Sequence, residues 1–235
     1  MNDWQNMRQI IFDADDTLWE NNIYYVQASN DFFNLISDAG FAREQVEKDF
    51  DELEVEVVKE LGYGSKNFVL ILEKISEKYS RLNGKKLDHK IFSAIVKRFT
   101  DHPVAVPALF PGVIETLNIL KSKYKLYVLT KGEHEEQSGK IKRAGIDKIV
   151  EKYYIPAEKN DQTYLQLLKE NNWLAHETCM VGNSPKSDIN PALRCQMYAI
   201  HIPYRDTWKL DNESIQGQGN RFMELKSFMA LQDIF

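Results

Sequence analysis

From Val113 onward, short apolar runs alternate with segments of helical period, and this alternation constrains the fold more than any other feature of the chain. Val113 to Leu120 reads as a helix and Leu126–Tyr127–Val128–Leu129–Thr130 as a buried strand. A helix over Glu133 to Ala144, capped by Gly145, precedes a short strand within Ile149 to Ile155. A helix over Asp161 to Lys169, a strand over Thr178 to Val181, a helix over Pro185 to Arg194 and a strand over Tyr198 to Ile202 complete the series. Beyond Pro203 the pattern is mixed, with a loose loop expected over Asp211 to Asn220 and a last helical segment near Ser227 to Leu231. Strands alternating with helices call for a parallel sheet covered on both faces.

The first hundred residues have another texture. Ile10–Ile11–Phe12 reads as a buried strand that ends abruptly in Asp13–Ala14–Asp15–Asp16–Thr17. Helical periods then run over Ile23 to Ala39, Arg43 to Leu61, Asn67 to Leu82 and Leu87 to Phe99, stopped by Gly40, Gly62, the Asn83–Gly84 pair and Pro103. Four helices with no strand between them suggest a small bundle. Pro103, Pro107 and Pro111 are candidate hinges.

Composition excludes several functions. The formal net charge of −5 leaves no global basic field to collect nucleic acid or an anionic membrane. An anionic substrate would need a local cation or a bound metal. Cys179 and Cys195 form no CxxC pair, and His89, His102, His134, His176 and His201 lack ligand spacing, which disfavours a transition-metal site. Met1 to Gln9 is polar, and no run approaches the roughly 18 to 20 apolar residues of a membrane span, so cytoplasm is the expected compartment.

In an open parallel sheet, ligands sit beyond the carboxyl ends of the strands. Here those ends carry Asp13 and Asp15, then Thr130–Lys131–Gly132, then Gly182–Asn183–Ser184 with Asp188 close behind, while Lys159 is expected to open a helix. Residues i and i+2 of a strand share a face, so Asp13 and Asp15 can meet one ligand. Two adjacent carboxylates repel unless a proton or a cation lies between them. A hard cation such as Mg²⁺ takes oxygen ligands and keeps room for a phosphate oxygen. Thr130 can donate a hydroxyl to a phosphoryl oxygen, assisted by the Lys131 and Gly132 amides. Each piece alone has an ordinary structural explanation, a turn or a helix cap; their joint occurrence in this order is harder to obtain by chance.

Asp13-Ala-Asp15-Asp-Thr17, Thr130, Lys159 and Gly182-Asn183-Ser-Pro-Lys-Ser-Asp188 resemble, in order and spacing, the four motifs of the haloacid dehalogenase superfamily, which includes many phosphatases. The resemblance implies a doubly wound α/β core (1–18 and 107–235) with an inserted helical cap (19–106). It further implies Asp13 as nucleophile, Asp15 as general acid/base, and Thr130, Lys131 and Lys159 as phosphate-binding residues. Mg²⁺ would be held by Asp13, the Asp15 backbone carbonyl and the final motif, with Asn183 and Asp188 as alternative direct ligands. The implied activity is hydrolysis of a small phosphorylated metabolite through an aspartyl-phosphate. The alternatives are a phosphomutase with the same motifs, a dehalogenase, which needs no Asp15, and a non-catalytic phosphate-binding module. Two positions depart from the pattern: Asp16 where the family usually has Gly, and Asn183 where it often has Asp. Asn21, Asn22, Tyr24 and Tyr25 lie near enough to the first motif to be candidates for substrate contact.

Overall fold

The computed structural model describes residues 3–84, 87–101, 107–216 and 219–235. His102 and Pro103, and two positions of the loop expected over Asp211 to Asn220, lie outside the described residues. The chain forms two compact units, Met1–Asn22 with Pro107–Phe235, and Ile23–Val106.

The first unit is built on a six-stranded parallel sheet: β1 (Gln9–Phe12), β2 (Lys125–Leu129), β3 (Lys152–Tyr154), β4 (Thr178–Gly182), β5 (Tyr198–His201) and β6 (Phe222–Glu224), in the order β3-β2-β1-β4-β5-β6. The order reverses direction at β1, which places the first motif at the switch point where such sheets bind ligands. Side chains alternate between two apolar layers. Ile10, Phe12, Val128, Cys179, Val181 and Ile200 pack with α5 (Val113–Leu120) and with Ile141 of α6 (His134–Arg143). Ile11, Leu129, Met180 and Ala199 pack with α7 (Asp161–Asn171) and α8 (Asn190–Arg194). Sides covered in this way explain why the strands read as continuous apolar runs rather than alternating ones. Cys179 and Cys195 are free and buried, one in each layer.

The second unit holds α1 (Asn22–Asp38), α2 (Arg43–Leu61), α3 (Ser65–Asn83) and α4 (His89–Asp101), with α1 starting at the last residue of the first unit. Its core is rich in rings: Phe68 lies 4.9 Å from Tyr25, 4.6 Å from Phe99 and 6.0 Å from Phe50, centroid to centroid. Burying each such ring is worth about 2 to 3 kcal/mol, which outweighs the weak propensity terms of a charged helix such as α2. Asp88 starts α4 by accepting the amide protons of Lys90 and Ile91 through Oδ1, at 2.8 and 3.2 Å. Gly62 and Gly84 stand at the ends of α2 and α3.

Three sequence expectations needed revision. The helix expected over Pro185 to Arg194 begins as a π-type turn, Pro185–Ile189, before continuing as α8. The edge strand β6 was unforeseen, being three residues long and half-exposed. The segment from Asp211 is not loose throughout: Asn190 donates to the Ser214 carbonyl at 2.9 Å and accepts from the Gln216 amide at 2.8 Å. No helix among the described residues is long and apolar enough to cross a membrane.

Candidate active site

β1 ends at Phe12, but the Asp13 amide still donates to the Val181 carbonyl at 2.9 Å, so Asp13 sits rigidly at the strand's carboxyl end. The chain then turns sharply, with the Thr17 and Leu18 amides both returning to the Ala14 carbonyl. Asp13 and Asp15 are therefore not successive same-face residues of a strand, as the spacing suggested; the turn sends them to different partners.

Asp13 faces inward. Its Oδ1 accepts from Lys159 Nζ at 2.6 Å, and its Oδ2 accepts from the Thr17 hydroxyl at 2.8 Å. The same ammonium donates to Asp188 Oδ1 at 2.5 Å and to the Leu129 carbonyl at 3.3 Å. Lys159 and Asp188 are almost completely buried, with side chains 2% and 0% exposed. Lys159 does not open a helix: Asn160 caps α7, accepting from the Thr163 amide at 3.1 Å, and Lys159 precedes it in the loop. From that loop the ammonium reaches both acids.

Gly182 makes that reach possible. A Cβ there would stand 2.3 Å from Asp188 Oδ2, so only glycine lets the π-type turn fold Asp188 back toward the sheet. Asp188 Oδ2 then accepts the Ser184 amide at 3.0 Å. Ser184 in turn caps the turn through the Ser187 amide at 3.0 Å.

Burial pushes the Asp13 carboxyl up to about 7, against the pull of the Lys159 ammonium and with a further push from Asp188. Burial raises Asp188 as well, again opposed by Lys159. For Lys159, burial works against the charge, yet the two carboxylates outweigh it and hold the ammonium above the ordinary lysine range. Two acids and one cation leave this cluster with one net negative charge when all are ionised.

Asp15 has a separate set of partners. Its Oδ1 accepts from Trp19 Nε1 at 2.6 Å and Lys140 Nζ at 2.8 Å; its Oδ2 accepts from Gln137 Nε2 at 2.7 Å and Lys140 Nζ at 2.9 Å. Gln137 Nε2 also lies 3.0 Å from Thr130 Oγ1, which links the two predicted site residues through one amide. The Lys131 ammonium is committed elsewhere, to Asp211 Oδ1 at 2.6 Å and Ser187 Oγ at 3.0 Å, so its backbone is the part left for a ligand. Sequence reasoning missed Lys140, Gln137 and Trp19. It also missed His201, whose Nε2 lies 3.1 Å from the Asn183 carbonyl and whose Nδ1 lies 3.1 Å from Glu224. Its place at the end of β5 was the one available signal.

Asp16 explains its departure from the superfamily pattern. Its φ of 63° is the left-handed conformation that favours glycine. The carboxylate offsets that strain by accepting the Asn21 and Asn22 amides at 2.8 and 3.0 Å where α1 begins. Burial pushes this carboxyl up to about 8, although the Asn21 amide pulls it down.

The oxygens around Asp13 suit a hard cation. Asp13 Oδ2 and Asn183 Oδ1 lie 2.8 and 3.3 Å from one atom, Thr17 Oγ1, so a carboxylate and an amide oxygen converge there. Among the described residues no three His, Cys, Asp or Glu side chains gather to hold an ion by themselves. A cation would depend on the Asn183 amide and backbone oxygens as well, a set that fits Mg²⁺ with retained waters.

Comparison with known proteins agrees with this geometry. The family model described as haloacid dehalogenase-like hydrolase matches residues 7–195. Two glyceraldehyde 3-phosphate phosphatases are among the proteins similar in sequence. The one from Methanopyrus kandleri is 26% identical over 203 residues, covering 83% of this chain and 84% of its own. The one from Methanothermobacter thermautotrophicus is 29% identical over 204 residues, covering 83% and 85%. A haloacid dehalogenase-like family hydrolase from Xanthomonas campestris superimposes with a TM-score of 0.77 at 25% identity, over 97% of this chain and 96% of that one. With its switch-point aspartate, its strand-end threonine and its buried lysine, this chain belongs to the haloacid dehalogenase-like hydrolase family.

Proposed function

We propose that the protein is a Mg²⁺-dependent phosphatase that hydrolyses a small phosphorylated metabolite through an aspartyl-phosphate on Asp13. The observation that carries this reading is the Lys159 ammonium lying 2.6 Å from Asp13 Oδ1 and 2.5 Å from Asp188 Oδ1 in a buried strand-end site. A buried cation beside a nucleophilic carboxylate is what a transferring phosphoryl group requires.

In the first step an Asp13 oxygen forms a bond to phosphorus as the bond to the leaving oxygen breaks, and Asp15 gives that oxygen its proton. In the second, Asp15 takes a proton from water as the water oxygen attacks phosphorus, releasing inorganic phosphate and restoring Asp13. Lys159 and the Thr130 hydroxyl hold the equatorial oxygens. Asp13, the Asp15 carbonyl and Asn183 would hold Mg²⁺, with Asp188 acting through Lys159 and the Ser184 amide; the ion supplies positive charge to the phosphoryl oxygens. The inserted helices take the family's substrate-selecting role, and the relatives make a triose phosphate the first candidate substrate.

The test is phosphate release from a panel of phosphorylated metabolites that includes glyceraldehyde 3-phosphate. Activity is expected to depend on Mg²⁺, to vanish with EDTA and to be abolished in Asp13→Asn. A variant retaining near wild-type turnover would sink the covalent mechanism. Transfer to a second hydroxyl of the substrate without phosphate release would make the protein a mutase.

A further inference from the structure

We infer that Lys140 and Gln137, both on α6, are positioning residues that orient the Asp15 carboxylate toward the leaving group; this rests on the reading of Asp15 as the proton donor. Three observations carry it. First, both Asp15 oxygens are fully subscribed: Trp19 and Lys140 hold one, Gln137 and Lys140 the other. A carboxylate held from both sides by donors on two elements has one orientation available to it.

Second, Lys140 is 2% exposed. A buried ion pair contributes little net stability compared with an apolar pair of the same size, so folding alone gives no reason for a lysine here. Its other contacts are Glu136 at 3.6 Å and Asn21 Oδ1 at 3.1 Å. The carboxylate that takes both short contacts is Asp15.

Third, the Gln137 amide is oriented at its own expense. Its Nε2 serves Asp15 Oδ2, the Lys131 carbonyl at 2.8 Å and Thr130 Oγ1, while its Oε1 is buried with no hydrogen-bond partner. An unmet buried acceptor in a native fold calls for a reason. Here the reason is that the amide ties the acid/base residue to the phosphate-binding hydroxyl. Gln137 and Lys140 are three residues apart on α6 and so share a face, and Gly132 leaves room for the amide, since a Cβ there would stand 3.0 Å from Gln137 Cγ.

A proton donor matters most when the leaving group is poor. The test therefore measures kcat and KM with Mg²⁺ on dinitrophenyl, para-nitrophenyl and phenyl phosphate, for wild type, Asp15→Asn, Lys140→Met and Gln137→Met. Both α6 variants are expected to lose about tenfold more kcat on phenyl than on dinitrophenyl phosphate, with KM unchanged. Asp15→Asn should show the same discrimination, more strongly. Equal losses across the series in both α6 variants, with Asp15→Asn still discriminating, overturn the inference and leave the proposed function intact. A rise in turnover in Lys140→Met also overturns it, because the clamp would then be holding Asp15 away from its work. If Asp15→Asn itself loses equally on every substrate, the acid/base reading fails and this inference with it. An independent readout is the Trp19 indole N–H resonance, assigned with Trp19→Phe. It is expected to shift in folded Lys140→Met and Gln137→Met, and an unmoved resonance in both shows that Asp15 keeps its place without them.

Discussion

In the helical unit every side chain buried among the described residues is apolar or aromatic, from Ala28 and Phe32 to Ile95 and Phe99. The α/β unit buries Asp13, Asp16, Asp188, Lys140 and Lys159, together with Thr130, Gln137, Asn183 and His201. The helical unit keeps most of its charges outside, in pairs such as Arg81–Glu77 at 3.1 Å with both side chains well exposed, which are worth little; Asp49, 9% exposed, is drawn further in by Lys78 and the Tyr79 hydroxyl. One unit is built as an apolar core would be if stability were the only demand. The other retains buried charges that cost desolvation and are tolerated because they meet each other. The contrast locates the chemistry on the sheet's carboxyl edge before any reaction is considered.

The contrast can be broken most severely at Lys159. Lys159→Met leaves Asp13 and Asp188 buried without their shared cation, and the expected result is a loss of turnover of about a thousandfold or more, with destabilisation of about 3 to 5 kcal/mol. Steady-state phosphate release and denaturant unfolding measure the two effects; a variant close to wild type in both would mean that the buried charges are ornamental.

On the helical side the expected loss is in stability alone. Phe68→Ala removes a ring that is 3% exposed and contacts Tyr25, Phe50 and Phe99. The cavity should cost about 3 to 5 kcal/mol by denaturant unfolding. A cost below about 1 kcal/mol would show that the aromatic cluster collapses easily and is not the unit's main support.

The mildest substitution, an amide for a carboxyl, is at Asp16. Its carboxyl is pushed from 3.8 to about 8 in the folded protein, so between those values the folded state binds more protons than the unfolded state. Stability contributed by this group is therefore present at low pH and lost as pH rises from about 4 to about 8, by at most roughly 1.4 kcal/mol per pH unit. Asp16→Asn keeps a side chain suited to positive φ and removes the titration. Its stability relative to wild type should improve steadily across that window in metal-free protein, measured by urea unfolding at several pH values. A flat difference would show that Asp16 stays ionised, held by the Asn21 and Asn22 amides.

Much of this was legible beforehand because it is local. The strand and helix periods follow from side-chain spacing, and the covered sheet follows from apolar runs too short to be anything else. Asp13, Thr130 and Asp188 could be picked out because strand ends in parallel sheets face one edge, and Lys159 because its place before a helix matches the superfamily's third motif. The revised points are those where local signals fall short. A three-residue strand such as β6 has no period to detect, and the Asn160 cap moved Lys159 out of the helix that its position suggested.

The sequence by itself determined the order of elements, the sheet class and the acids and hydroxyl that the strand ends bring forward, since those follow from covalent spacing and burial; the Lys159 ammonium was marked by its resemblance to the superfamily's motif. Only the tertiary structure decided how Asp15 is held. Lys140 and Gln137 reach it from 125 and 122 residues away, across a turn that parts it from Asp13. Neither residue carries a motif, because its role exists only once α6 packs against the sheet and brings a buried ammonium and an amide to the same carboxylate.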